Sequence, residues 1–194
     1  MNALRVLLAT GNPHKVVEVT EILGPGFVVE AIDPTVEEGG DTFEANALQK
    51  ARAVRDRTGE AAIADDSGIV VDALDGRPGI HSARWTDEGD WVARVLRELA
   101  ARPDLARTAR FVAAAAVAWP DGGECVVLGT VEGVIASEPS GTAGFGYDPI
   151  FIPAEGDGRT FAAMSPREKH ALSHRGRALR ALAPMLTRAA PNDP

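Results

Sequence analysis

The chain has 194 residues, a formal net charge of −8 and a sequence pI near 5.0. This acidic balance argues against a general binder of DNA or RNA, which needs a basic face, but a few local cations or a metal would still allow a small phosphate ligand. Hydrophobic residues make up 45% and charged residues 25%, as in ordinary globular proteins. The single Cys125 excludes an internal disulfide or a cysteine-based zinc cluster and fits a reducing compartment.

Neither a secretory signal nor a membrane span is expected from the sequence. The N-terminal residues lack a charged segment followed by a long apolar one, and no stretch approaches the length of a membrane-spanning helix. We therefore expect a cytoplasmic protein whose residues 1–194 form one domain, or two lobes that share one sheet.

The first elements predict an α/β fold. Leu4 to Ala9 is a short apolar run typical of a buried strand, and Asn12 and Pro13 suit the cap and first turn of a helix to about Leu23. A second strand is predicted from Phe27 to Ile32. This strand, helix and strand are typical of α/β proteins.

Further elements alternate along the rest of the chain. A capping box from Asp41 to Glu44 predicts a helix to about Arg57, and Ser165 with Glu168 predicts a second box that opens a C-terminal helix. Between them we expect strands at 61–64, 69–73, 110–119 and 124–135, a helix at 88–101, and a glycine-rich loop at 139–149.

The loop Thr10-Gly11-Asn12-Pro13-His14-Lys15 joins a predicted strand to a predicted helix. Backbone N–H groups at such a junction bind anions, and cations in the first helical turn are unfavourable unless a negative group lies nearby. The alternative is a plain turn with a solvated lysine. The spacing is not that of a Walker loop.

Acidic residues stand close together at two places. Asp65 and Asp66 repel each other unless a cation or a proton is shared, and in a strand they would point to opposite faces. One of them could then bind a metal or act as a base; the alternative is a simple turn. Glu37 and Glu38 offer oxygen ligands suited to magnesium, although a solvated acidic loop fits them as well.

Aromatic residues in the glycine-rich loop indicate a base-binding site. Gly144-Phe145-Gly146-Tyr147-Asp148-Pro149 contains the only tyrosine of the chain. A purine or pyrimidine base can stack on such a ring, which contributes about 1–3 kcal/mol. The alternative is that Phe145 or Tyr147 anchors the loop to the core.

Charged residues interrupt the apolar pattern of the C-terminal helix. Arg175 falls on the stripe of Leu172, Leu179, Leu182 and Leu186, so it needs a buried partner, whereas a new helix capped by Ser173 would change the phase. His170 and His174 have the spacing of a zinc-protease helix but lack its glutamate, which argues against zinc.

Six segments, in order and over nearly the whole chain, resemble the motifs of the inosine triphosphate pyrophosphatase family, whose members act on noncanonical purine nucleoside triphosphates. They are Thr10-Gly11-Asn12 with Lys15, Thr42-Phe43-Glu44 with Asn46-Ala47 and Lys50-Ala51, Ala64 to Gly68, Pro78 to Arg84, Gly144 to Pro149, and Glu168-Lys169 with Ser173 to Gly176. Six motifs in register are far more specific than any one of them. His14 departs from the small or basic residue of many relatives, a difference that bears on affinity rather than on chemistry.

The resemblance implies an elongated mixed β-sheet flanked by helices, two lobes with a central active-site cleft, and a homodimer. It implies magnesium-dependent hydrolysis of ITP, dITP or XTP to the monophosphate and pyrophosphate, with manganese as a substitute. Asp66 would be the general base and a metal ligand, with Glu37, or alternatively Glu38, as a second ligand. The triphosphate would be held by residues 10–15, Lys50 and Ser67, and the base and sugar by Phe145, Gly146, Tyr147, Asp148, Lys169, His174 and Arg175.

Three other functions stay open at this stage. A Maf-like nucleotide pyrophosphatase would share the architecture, but the 145–148 and 173–175 motifs argue against it. A nucleotide sensor without turnover is disfavoured by the intact Asp65-Asp66 pair. A sugar-phosphate phosphatase would release orthophosphate instead of pyrophosphate.

Overall fold

The structure, a computed structural model, describes residues 3–86 and 90–188. The strands are β1 (Leu4–Ala9), β2 (Phe27–Ile32), β3 (Ala62–Val71), β4 (Thr108–Ala118), β5 (Glu124–Ile135) and β6 (Phe151–Pro153). The helices are α1 (Pro13–Leu23), α2 (Phe43–Thr58), α3 (Trp91–Ala100), α4 (Pro166–Leu172) and α5 (His174–Arg188). Short 3₁₀ turns lie at 72–74, 79–84, 148–150 and 161–163.

The strands form one mixed sheet in the order β2-β1-β3-β4-β5-β6. β1 pairs in parallel with both β2 and β3, and β5 pairs antiparallel with β6. The α/β class predicted from the alternating elements is confirmed. None of the described helices has the length and apolar character to cross a membrane.

The chain divides into two compact units. The first contains residues up to Asp66, residues 113–129 and those from Arg175 onward; the second contains residues 67–112 and 130–174. One boundary falls within β3, between Asp66 and Ser67, and others fall within β4, within β5 and after His174.

The first unit has a helical layer on each face of its strands. Alternate residues of a strand point to opposite faces: Val6 and Leu8 of β1 pack in one cluster with Val19 of α1 and Leu182 of α5. Leu7 of β1 packs in a second cluster with residues of α2, among them Ala47, Ala51 and Val54. The small side chains of the second cluster allow α2 to approach the strands closely.

The second unit is built around aromatic rings. Phe111 of β4 packs edge to face on Phe151, with ring centroids 4.7 Å apart. It stacks on Phe161 with centroids 6.0 Å apart. Tyr147 and Leu99 of α3 belong to the same buried cluster.

Some predicted elements differ in the structure. The cap of α2 is Thr42, whose side chain accepts from Ala45 N, and not Asp41. β3 is one continuous strand through Asp65 and Asp66, so the turn alternative is wrong. The C-terminal helix breaks at Ser173, which has extended backbone, in agreement with the alternative in which a new helix begins there. The sequence did not predict β6, because three residues are too few for a periodic pattern. Residues 88 and 89 of the predicted 88–101 helix lie outside the described residues.

Candidate active site

Asp65 and Asp66 lie side by side in β3 but face opposite sides of the sheet. Strand alternation places Asp66 on the face of Ala62 and Ala64, which α2 covers, and Asp65 on the face of Ile63, which α1 and α5 cover. Both are buried, at 5% and 2% exposure. The two carboxylates therefore have different partners and different electrostatic surroundings.

Asp66 is held by two side chains of α2. Lys50 Nζ donates to Asp66 Oδ1 at 2.9 Å, and Asn46 Nδ2 donates to Oδ2 at 3.2 Å. The same lysine ammonium donates to Glu38 Oε1 at 2.7 Å, so Glu38 and Asp66 share one cation. Asn46 and Lys50 are four residues apart and so project from the same face of α2.

Burial and charge act against each other at this cluster. Burial raises the pKa of Asp66, the Lys50 charge and hydrogen bond lower it, and the net pKa lies above the usual range. Burial lowers the pKa of Lys50, but Asp66, Asp65 and Glu38 outweigh burial and leave that pKa above its ordinary value. Asp66 is thus a carboxylate beside the Lys50 ammonium, with an affinity for protons above that of an exposed aspartate.

Asp65 belongs to a separate buried network on the other face. Arg175 Nε and Nη2 donate to Asp65 Oδ2 at 3.1 and 2.9 Å, and Arg175 Nη1 donates to Glu18 Oε2. Lys15 Nζ donates to the Asp65 carbonyl at 3.2 Å and lies 3.1 Å from its Oδ2. Burial opposes ionisation of Asp65, but the charges of Arg175 and Lys15 outweigh it and hold the pKa of Asp65 well below its usual range.

Arg175 therefore has the buried partners that its place on the apolar stripe required. Its side chain is 3% exposed, and all three guanidinium nitrogens donate to carboxylates of the first unit. The assignment of Arg175 to the purine base stays a prediction.

The loop from Thr10 to Lys15 joins β1 to α1 as predicted. Asn12 Oδ1 caps the helix by accepting from His14 N at 2.9 Å, Pro13 occupies the first turn, and Thr10 Oγ1 accepts from Asn12 N at 3.1 Å. His14 is exposed. An added Cβ at Gly11 would lie 3.1 Å from Asp33 Oδ2, so there is little room for a side chain there.

Residues of the glycine-rich loop form a cluster in the second unit. Asp148 Oδ2 accepts from Phe145 N at 2.8 Å and from Lys169 Nζ at 2.6 Å, and Asp148 and Lys169 are both buried. The Lys169 ammonium lies 5.2 Å from the centroid of the half-buried Phe145 ring. Lys169 of α4 thus fixes the loop through Asp148 and lies against the candidate stacking ring.

Tyr147 is a core residue, as in the alternative in which it anchors the loop, and its part in substrate binding stays a prediction. It is 4% exposed, its hydroxyl donates to the Ser82 carbonyl at 2.9 Å, and its ring lies 6.3 Å from that of Trp91. His174 is also buried and stacks on Phe111 with centroids 4.6 Å apart. Gly146 and Ser67 are partly exposed.

The carboxylates nearest to a shared cation are Glu38 and Asp66, and not Glu37. Glu37 is exposed, and its backbone carbonyl accepts from Gln49 Nε2 at 2.9 Å. Residues 3–86 and 90–188 contain no cluster of three or more His, Cys, Asp and Glu side chains that could hold a metal ion. The carboxylates of Glu38 and Asp66, which contact the same Lys50 ammonium, nevertheless fit magnesium. Magnesium is usually bound by one or two carboxylates together with waters and substrate phosphates.

Sequence reasoning missed Glu18 and assigned no role to Asn46, although Asn46 lies in one of the six matched segments. Glu18 lies three residues after Lys15 on the buried face of α1, next to Val19, where a charge signals a buried partner. Asn46 lies one helical turn before Lys50. Both signals are present in the sequence, but neither names the partner.

Comparison with known proteins supports the resemblance. The family model described as the Ham1 family matches residues 6–185. The dITP/XTP pyrophosphatase of Symbiobacterium thermophilum is 51% identical over 185 residues, which cover 92% of this chain and 93% of that protein.

Two solved structures share the fold. A HAM1 protein from Coxiella burnetii has a TM-score of 0.82 at 38% identity, covering 96% of this chain and 100% of that one. A nucleoside-triphosphatase, dITP/XTP pyrophosphatase, from Mycobacterium abscessus has a TM-score of 0.72 at 46% identity, covering 94% and 100%. Six motifs in register, the mixed sheet that carries them and relatives of this identity over almost the full length lead to one assignment: the chain belongs to the Ham1 family.

Proposed function

We propose that this protein hydrolyses the noncanonical purine nucleoside triphosphates dITP, ITP and XTP to the monophosphate and pyrophosphate. The observation that carries the proposal is the Glu38–Lys50–Asp66 cluster, in which Lys50 and Asp66 are buried and Glu38 is partly exposed, in a chain about half identical to a protein named dITP/XTP pyrophosphatase. Its carboxylates and cation are the groups that phosphoryl chemistry needs.

Asp66 is the general base of this proposal. It accepts a proton from a water molecule whose oxygen attacks the α-phosphorus; the bond from that phosphorus to the bridging oxygen breaks, and pyrophosphate leaves. The raised pKa of Asp66 suits this role, because a general base works best when its pKa lies near the working pH.

Cations of the first unit bind the triphosphate. Lys15 at the first turn of α1 and Lys50 on α2 supply positive charge, and the loop from Thr10 to Asn12 supplies backbone N–H groups, as at other strand-to-helix anion sites. Ser67, which follows Asp66 in β3, is the remaining candidate for binding the triphosphate.

A divalent metal, magnesium or manganese, is the cofactor implied by the family. Glu38 and Asp66 would hold it, in preference to the exposed Glu37. When bound, the metal neutralises charge that develops on the phosphates.

Residues of the second unit are the candidates for the base and sugar. Phe145 is the aromatic ring on which a purine would stack, while Asp148 and Lys169 hold its loop. The 6-keto oxygen of hypoxanthine and xanthine accepts a hydrogen bond, whereas the 6-amino group of adenine donates. A site that presents donors at this position would disfavour ATP by about 1–3 kcal/mol for each unpaired group.

The test is a panel of ITP, dITP, XTP, GTP and ATP, assayed for pyrophosphate and for orthophosphate. We expect pyrophosphate from the first three at a kcat/KM at least about tenfold above that for ATP. Orthophosphate as the first product would indicate a phosphatase, preference for another nucleotide class would favour the Maf-like alternative, and binding without turnover would favour a sensor.

We also propose a cytoplasmic location and a homodimeric assembly. The single cysteine fits the reducing cytoplasm, where the nucleotide pool lies. The family resemblance supports a homodimer of single-domain subunits, each with two lobes.

A further inference from the structure

The Lys50 ammonium bridges the two carboxylates proposed as metal ligands. It lies 2.7 Å from Glu38 Oε1 and 2.9 Å from Asp66 Oδ1, and its side chain is 8% exposed. Asp66 is equally buried, whereas the Glu38 side chain is 24% exposed. Two carboxylates brought together in a buried place repel each other unless a cation neutralises them. Here that cation is part of the protein.

Lys50 is also expected to bind the triphosphate. While its ammonium neutralises Glu38 and Asp66, it cannot neutralise the triphosphate as well. A lysine side chain has four rotatable carbon–carbon bonds and a compact charge, and so can move between neighbouring anions. Lys15, the other proposed phosphate cation, contacts Asp65 on the opposite face of β3.

We propose that Lys50 is an exchangeable internal counter-ion: it neutralises Glu38 and Asp66 while the site is empty, and it is transferred to the triphosphate when a divalent metal takes its place. This inference rests on the function proposed above, and it deepens that function by adding a coupling between the two ligands. The free protein binds the metal weakly because Lys50 competes for both carboxylates. A bound triphosphate attracts Lys50 and thereby frees them, so metal and triphosphate bind cooperatively.

The test is binding of Mn²⁺ alone to the ligand-free full-length protein, followed by electron paramagnetic resonance of the unbound ion. We expect weak binding to the wild type and at least about tenfold tighter binding to Lys50→Met, the scale on which a charged hydrogen-bond partner affects a buried carboxylate. As a second readout, Mn²⁺ should raise the thermal unfolding temperature of Lys50→Met more than that of the wild type.

Three variants separate competition from a general charge effect. Lys15→Met removes an equal charge from the other face of β3 and should change Mn²⁺ affinity much less. Lys50→Arg keeps the charge and should stay close to the wild type. The double variant Lys50→Met with Glu38→Gln should lose the gained affinity, because one of the two freed ligands is removed. Lys50→Gln replaces Lys50→Met if the latter does not fold.

Equal Mn²⁺ affinity in wild type and Lys50→Met, or an equal gain in Lys15→Met, would overturn the inference. So would a failure of every variant to bind Mn²⁺. The proposed function is judged separately by pyrophosphate release from dITP by the wild type, so its failure is distinguishable from failure of the counter-ion exchange.

Discussion

At the scale of single residues, the two adjacent aspartates carry the same side chain but have opposite surroundings. Asp65 is surrounded by Arg175 and Lys15, which keep its pKa low, so it remains ionised and holds a buried network together. Asp66 has one shared lysine and an amide, and its pKa is raised. The difference makes Asp66 the better proton acceptor and Asp65 the better structural anion.

Replacement of Asp66 by asparagine tests this division. Asp66→Asn keeps the size of the side chain but removes its charge and basicity, so we expect kcat to fall at least about 10²-fold, the usual scale of general-base catalysis. The measurement is the rate of pyrophosphate release from ITP, with circular dichroism to establish that the variant is folded. Near-normal turnover in a folded variant would reject Asp66 as the base.

Loss of the Glu18 carboxylate should show how much the buried network of Asp65, Arg175 and Glu18 contributes to the free energy of unfolding. In Glu18→Gln, Arg175 loses one of its two carboxylate partners in a buried place, and we expect the free energy of unfolding to fall by about 1.5–3 kcal/mol. Urea denaturation measures it. Glu30→Gln is the matched control, because the pair of Glu30 with Arg5 is half exposed and screened by water, so its loss should change stability much less. Equal effects of the two substitutions would contradict a special role for Glu18.

At the scale of elements, the glycine-rich loop is shaped by backbone conformations that other residues rarely adopt. Gly144 and Gly146 have φ values of +71° and +63°. An added Cβ at Gly144 would overlap the Asp148 carboxylate, whereas one at Gly146 would meet no atom within 4 Å. The two glycines thus share a backbone requirement but differ in packing.

Alanine at these two positions separates strain from displacement of Asp148. Gly144→Ala should displace Asp148 from Phe145 N and Lys169, and we expect KM for ITP to rise about tenfold or more, the equivalent of one charged hydrogen bond. Gly146→Ala should show only the backbone strain of about 1–2 kcal/mol in thermal unfolding. A similar KM in both variants would mean that the Asp148 contacts do not matter for substrate binding.

At the scale of the whole molecule, an acidic protein is proposed to bind a highly charged anion. Its net charge of −8 makes added cations necessary, and the carboxylate oxygens of Glu38 and Asp66 suit a hard metal ion. We therefore expect EDTA to abolish pyrophosphate release, and magnesium or manganese to restore it. EDTA saturated beforehand with magnesium is the control and should not inhibit. Full activity in excess free chelator would remove the metal from the mechanism.

Assembly is the second property of this scale. The family resemblance indicates a dimer, and closed two-fold dimers are the commonest homo-oligomers. Light scattering at micromolar concentration should therefore give twice the chain mass of 20.4 kDa. A mass near 20.4 kDa that persists at higher concentration would contradict the dimer.

Local sequence determined most of the elements of this protein. β1, α1 and β2 begin and end where the apolar runs and the Asn12–Pro13 cap predict, because these signals lie within a few residues of one another. The second capping box, at Ser165 and Glu168, formed as predicted for the same reason. The cap of α2 was displaced by one residue, since Asp41 and Thr42 are both good caps and local sequence does not choose between them.

The candidate site was predicted as a set of residues but not as an arrangement. Six motifs named Asp66, Lys50, Lys15 and Arg175, yet only the tertiary structure decided that Lys50 contacts Asp66 whereas Lys15 and Arg175 contact Asp65. It also decided that Glu38 contacts Lys50 and that Tyr147 lies in the core, whereas the choice between Glu37 and Glu38 as a metal ligand stays a prediction. The physical reason is that a buried charge takes its partner from whichever helix covers its face of the sheet. Arg175 is 110 residues from Asp65 along the chain, and at that separation the periodicity of the sequence does not predict which residues are in contact.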